Sequence, residues 1–149
     1  MKVALASDHA AYTLKEEVKK YLTGKGHEVI DFGTNNDKSM DYPDTIKLAA
    51  RSVSKKETEK GVVLCGSGIG ASIVANKIRG IRAVLCMDEY SAEYSRRHND
   101  ANVLVLAGRR RTMDDVSRYI DIWFSTAFEG GRHQNRIDKI TGIEIEECR

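Results

Sequence analysis

The chain has 149 residues, 41% hydrophobic and 31% charged, with one proline; this suits one globular domain and excludes a collagen-like, disordered or membrane-spanning class. Twenty-four lysines and arginines against 22 acidic residues leave a formal charge of +2, which gives no general reason to expect a nucleic-acid or membrane partner.

VALA at 3–6 is a short, continuous apolar strand. That apolar run, closed by Ser7 and Asp8, is too short for a signal-peptide core or a transmembrane helix, and a cytoplasmic location is expected. Leu14, Val18, Tyr21 and Leu22 then recur at helical spacing until Gly24 and Gly26. HEVIDF at 27–32 reads as a strand, GTNNDKSMDYPD at 33–44 as a loop, and a helix is expected from about Pro43, with Ile46, Ala49, Ala50 and Val53 on one face. VVLC at 62–65 is a third strand, followed by a helix from about Ile69 to Ile78. IRAVLCM at 81–87 is a fourth strand, a helix covers roughly 90–97, and NVLVLAG at 102–108 is a fifth strand. Thr112 and Asp115 fit a capping box, opening a helix with an apolar stripe of Met113, Val116, Ile120, Trp123 and Phe124. A last helix is expected from about Gln134.

Short apolar strands separated by helices are what a parallel sheet with right-handed crossovers requires. The expected architecture is α/β: a three-layer α/β/α, Rossmann-like fold with a mostly parallel sheet of about five strands, in a single domain over 1–149. In such sheets ligands bind beyond the carboxyl ends of the strands, where the strand order reverses. That rule selects Ser7, Asp8 and His9 after strand one, Cys65 to Gly70 after strand three, Asp88 after strand four, and Gly108 and Arg109 after strand five.

The segment VVLCGSGIGAS at 62–72 ends a strand in Cys65 and opens into a loop with glycines at 66, 68 and 70. Such a loop lets the backbone approach a ligand, and the following helix offers free N–H groups and a positive dipole end, so it is an anion site. Read as GxGxxA from Gly66 to Ala71, it also matches a loose dinucleotide fingerprint with Asp88 downstream. It sits on the third strand, however, and no GK[ST] closes it as a Walker loop.

A helix N-terminus stabilises a thiolate, Ser67 supplies a hydroxyl, and the loop amides supply donors for a developing oxyanion. Cys65 and this loop therefore suit proton abstraction beside a carbonyl, with nucleophilic attack as the rival chemistry and a structural thiol as the plain alternative. Cys65, Cys86 and Cys148 form no CxxC and no Cys/His cluster; free thiols and no metal site are expected, with Cys86 packed inside its strand. SRRHNDANV at 95–103 places His98 and Asn99 just before strand five. GGRHQNRIDK at 130–139 packs Arg132, His133 and Arg136 together, the two arginines at helical i, i+4 spacing. Two guanidiniums on one face fork onto a phosphate, although a solvated basic face is the commoner use. A helix C-terminal histidine bound to the last carbonyls is likewise the commoner reading of His98.

SDHAAYTLK at 7–15, DYPD at 41–44, CGSGIGASIVANKIRGIRA at 65–83, SRRHNDANVL at 95–104 and GGRHQNRI at 130–137 together resemble ribose-5-phosphate isomerase type B, in order and over nearly the whole chain. The resemblance implies interconversion of ribose 5-phosphate and ribulose 5-phosphate through an enediolate, without metal or cofactor, in the nonoxidative pentose phosphate pathway. It implies Cys65 as the base between C1 and C2, Ser67 assisting proton transfer among the sugar oxygens, and Gly66, Ser67, Gly68, Ile69 and Gly70 holding the enediolate through backbone amides. His98 would open the furanose ring, with Asp8 and Asn99 on sugar hydroxyls. His9, Arg109, Arg132 and Arg136 would take the phosphate, Tyr42 would line the pocket, and His133 is an additional contact candidate.

The family is dimeric or tetrameric with active sites shared between subunits, so a homodimer or homotetramer is implied, with the last helix a candidate for the contact. Many members carry threonine where this chain has Ser67, which keeps the hydroxyl and loses the methyl that restricts its rotamer. Related isomerases act on allose 6-phosphate and galactose 6-phosphate, and a hexose phosphate such as allose 6-phosphate is the alternative substrate. A noncatalytic sugar-phosphate sensor is the alternative of another class.

Overall fold

The computed structural model describes residues 1–147; Cys148, expected as a free thiol, lies outside the described residues. Five strands, β1 (Lys2–Ser7), β2 (Glu28–Asp31), β3 (Lys60–Cys65), β4 (Ala83–Leu85) and β5 (Val103–Ala107), form one all-parallel sheet in the order β2-β1-β3-β5-β4. The helices are α1 (Tyr12–Gly24), α2 (Tyr42–Ser54), α3 (Ile69–Asn76), α4 (Glu89–Arg97), α5 (Met113–Ser125) and α6 (Arg132–Glu147), with a 3-10 turn at His9–Ala11.

Strand periodicity sorts the core into two layers. On one face Val3, Leu5, Val62, Leu64, Leu104 and Leu106 pack against Leu14, Val18 and Leu22 of α1, Ala92 of α4, and Val116, Ile120 and Trp123 of α5. On the other, Ala4, Ala6, Val63, Cys65, Val103 and Val105 meet Ile46, Ala49, Ala50 and Val53 of α2 and Ala71 and Ala75 of α3. The chain therefore leaves β1 onto one face and β3 onto the other. The two strands are neighbours, so a crevice opens beyond their carboxyl ends.

The α/β reading holds, with local corrections. The strand expected over 81–87 shrinks to Ala83–Leu85 because side chains intercept its amides: Arg82 N–H donates to Asn102 Oδ1 at 2.8 Å and Ala83 N–H to Asn76 Oδ1 at 2.8 Å. Cys86 thus lies just beyond β4 instead of inside it, fully buried, its thiol pushed up by desolvation. The same Asn76 ends α3 two residues early, its Nδ2 donating to the carbonyls of Ser72 and Ala83. The second strand is trimmed to Glu28–Asp31, and the last helix begins at Arg132 instead of Gln134. Among the described residues no helix is long and apolar enough to cross a membrane.

Candidate active site

The loops beyond β1, β3 and β5 are tied together by their own backbone. Asp8 N–H donates to the Leu64 carbonyl at 3.3 Å, Gly108 N–H to that of Cys65 at 2.9 Å, and Arg109 N–H to that of Gly66 at 3.0 Å. Cys65 ends β3 and is only 4% exposed. Beyond it Gly68 caps α3 at φ 76°, in the left-handed region where a side chain is strained, and a Cβ there would lie 2.4 Å from Leu85 Cδ1, which would have to shift. The first amides of α3, which begins four residues after Cys65, lack intrahelical acceptors. Ser67 is exposed, and its Oγ accepts from Ile69 N–H at 3.3 Å.

Neighbouring elements close in on this loop. The Tyr42 ring lies across Gly70, where a Cβ would sit 2.5 Å from Tyr42 Cζ. A Cβ on Gly66 would be 3.5 Å from Arg109 Cδ and Nε, which places that guanidinium stem over the loop. Asp8 is buried and spends Oδ1 on Ala11 N–H at 3.2 Å, leaving Oδ2 as a further acceptor. His9 Nδ1 accepts from Met40 N–H at 3.2 Å. That bond fixes the neutral tautomer with its proton on Nε2, so His9 is a donor toward any anion beside the loop.

His98, Asn99, Arg132 and Arg136 are elsewhere. Cys65 pairs with Ala107, the last residue of β5, whereas His98 caps the C-terminus of α4 and Asn99 follows it, both before β5 begins. They therefore sit beyond the opposite end of the sheet, separated by the length of β5, ~17 Å at the usual rise per strand residue. There His98 stacks on His133 with ring centroids 4.1 Å apart and planes 9° apart, and Tyr94 meets His98 edge-on at 4.9 Å. Arg132 and Arg136 lie exposed on the first turns of α6. The candidate residues thus fall into two groups, one at each end of the sheet.

Over residues 3–140 the sequence matches the family described as Ribose/Galactose Isomerase. The chain belongs to that family. It is 43% identical to ribose-5-phosphate isomerase B of Escherichia coli over 143 residues, covering 96% of each chain. Among solved structures it is similar to ribose-5-phosphate isomerase B of Clostridium thermocellum, with TM-score 0.96, 46% identity and coverage of 98% and 99% of the two chains. It is also similar to the Mycoplasma genitalium ribose-5-phosphate isomerase B with bound ribulose-5-phosphate, with TM-score 0.93, 40% identity and 97% coverage of each chain.

In this ribose/galactose isomerase family member, Asp88 is no ribose-binding carboxylate of a dinucleotide fold. Its Oδ1 accepts from Ser91 N–H at 2.7 Å in a capping box that opens α4, and these bonds hold its carboxyl below the usual range. Glu129 escaped the sequence reading. Its Oε2 lies 3.7 Å from His98 Nε2 and 3.5 Å from His133 Nε2, and the Arg97 guanidinium bonded to it holds its carboxyl below the usual value. Its place before Gly130, 31 residues after His98, gives no local sign of that meeting. Burial lowers His133 below the ordinary histidine value, helped by His98, Arg132 and Arg136. The donor atoms of His98, Glu129 and His133 fall within 4.8 Å of one another. Near-parallel rings, however, aim their lone pairs along parallel lines instead of at one ion.

Proposed function

We propose that this chain is an aldose–ketose isomerase that interconverts ribose 5-phosphate and ribulose 5-phosphate by proton transfer through an enediolate. The observation that carries the reading is Cys65 at the mouth of β3, nearly closed to water and facing the glycine loop at the N-terminus of α3. Cys65, as thiolate, takes the proton from C2 and returns it to C1. The negative charge that develops on the two sugar oxygens meets the backbone amides between Ser67 and Gly70. Ser67 passes the hydroxyl proton. His98 opens the furanose ring, Asp8 and Asn99 hold hydroxyls, Tyr42 walls the sugar, and His9 Nε2–H, Arg109, Arg132 and Arg136 hold the phosphate. The ribulose-5-phosphate bound to the Mycoplasma genitalium relative supports the choice of sugar.

Because His98 and the α6 arginines lie across the sheet from Cys65, a complete site takes one half from each of two copies, and the working form is a homo-oligomer. Ile140 and Ile143 of α6, exposed and lining a cleft of about 730 Å3 along β4, are the contact this reading assigns to the neighbouring subunit. The same reading places the enzyme in the cytoplasm and in the nonoxidative pentose phosphate pathway.

The test is conversion of ribose 5-phosphate by the purified protein in EDTA, with Cys65→Ala beside it. Turnover by the wild type that falls by a factor of about 100 or more in the variant is the expected result for loss of a catalytic base. Turnover of allose 6-phosphate alone moves the substrate to a hexose phosphate; binding of both sugars without turnover makes the protein a sensor.

A further inference from the structure

We infer that Glu129 is the positioning residue of the ring-opening step: it fixes His98 and stabilises the imidazolium that His98 becomes in passing. The inference rests on the isomerase reading above, with His98 as the ring-opening group.

Glu129 is attached twice to the last turn of α4, the turn that carries His98. Its backbone N–H donates to the Arg97 carbonyl at 3.0 Å, and its Oε1 accepts from Arg97 Nε at 2.6 Å. Oε2 is left facing the two histidines. At 3.7 Å the contact with His98 is an electrostatic one instead of a hydrogen bond, and its strength therefore follows the charges on both partners. Arg97 does not cancel the charge of Glu129, because it is shared with Glu93, bonded at 2.7 Å, so the trio keeps one net negative charge. His133 also faces it, at 3.5 Å, but burial, His98, Arg132 and Arg136 lower its affinity for a proton below the ordinary histidine value. The His133 ring lies flat against His98 and packs along its plane. The cluster thus sets a negative charge beside both rings, and His98 is the more exposed of the two.

Opening the furanose breaks the C1–O4 bond, removes the proton from O1 and delivers a proton to O4. The imidazole that carries the proton between those oxygens is briefly a cation, and a carboxylate fixed beside it lowers the cost of that state. The later transfer between C2 and C1 belongs to Cys65 and the glycine loop, in the other half-site, and does not pass through Glu129.

The two steps separate by substrate. Ribose 5-phosphate closes through O4 and must be opened. In ribulose 5-phosphate the oxygen that would close a five-membered ring carries the phosphate, so the ketose is open-chain and needs no opening. Glu129→Gln, isosteric and able to keep an acceptor toward Arg97, is compared with wild type in two assays: turnover of ribose 5-phosphate, and solvent-deuterium exchange at C1 of ribulose 5-phosphate. The expected result is loss of turnover by a factor of about 10 or more with exchange within about twofold of wild type. His98→Asn serves as the reference and shows the same split. Equal loss in both assays, or no loss in either, for Glu129→Gln while His98→Asn splits them overturns the role of Glu129. A His98→Asn protein without the split removes the ring-opening assignment itself, and the inference falls with it. Circular dichroism and a thermal melt of each variant confirm that folded protein is compared.

Discussion

At the residue scale the least ordinary group is Lys15, a lysine with no exposed side-chain surface in the first turn of α1. It sits there because Asp31 at the end of β2 receives it at 2.6 Å and Glu16 at 2.9 Å, while Lys19 and the Gly33 amide add to Asp31 from the rim at 2.9 Å each. Burial pushes the Asp31 carboxyl up, but the two lysines and the amide outweigh it and hold the group below the ordinary value. Asp31→Asn leaves a buried ammonium with Glu16 alone and is expected to cost about 3 kcal/mol, read by urea denaturation at pH 7. The unfolded carboxyl binds its proton more readily than the folded one, so this stabilisation is present above the ordinary carboxylate range. It is lost as pH falls through the depressed folded value. The wild-type advantage over Asp31→Asn therefore narrows on acidification, and an advantage unchanged down to pH 2 contradicts the assignment. Nothing local announced Asp31, because its partners on α1 lie 12 and 16 residues away and meet it only when β2 pairs with β1. Glu129 was hidden in the same way. Cys65 and the glycines were legible because loop and helix N-terminus are contiguous in sequence.

At the scale of elements, what the sequence announced was what short-range physics decides. The apolar stripes of α1, α2 and α5 and the apolar runs of β1, β3 and β5 sit where their periods place them, since both faces of the sheet are covered. The capping box of α5 is present as read: Thr112 Oγ1 accepts from Asp115 N–H at 3.4 Å, and the Asp115 carboxylate accepts from Thr112 N–H at 3.4 Å. Thr112→Ala removes one side of it and is expected to cost about 1 kcal/mol. For a chain of this length that lowers the melting temperature by about 2–4 °C. An unchanged melt shows that the packing of Val116, Ile120 and Trp123 alone carries the helix. Two of the elements misjudged in length, β4 and α3, meet at one side chain, Asn76, which bonds across to Ala83. Propensity does not report a bond between two elements, and an edge strand has no second neighbour to enforce its ends.

At the scale of the molecule, the strand order decides which residues share a site. With β1 beside β3 and their helices on opposite faces, Asp8, His9 and Cys65 share one crevice. With α4 running back along the sheet, His98 is carried to the far end, where α6 brings Arg132, His133 and Arg136 to it. In the proposed homo-oligomer each site is closed by two chains, and that arrangement makes a quantitative prediction. Cys65→Ala and His98→Asn proteins, each inactive alone, are mixed in equal amounts and allowed to exchange subunits. In a mixed dimer one site receives both substitutions and the other receives neither. Half of the dimers are mixed at equilibrium, so activity should return to about a quarter of the wild-type level, as a two-fold arrangement of shared sites requires. The recovery should follow the rate of exchange and be absent when the subunits are cross-linked before mixing. No recovery despite exchange, seen as mixed dimers by native mass spectrometry, would mean that Cys65 and His98 act within one chain, which the placement of His98 before β5 argues against.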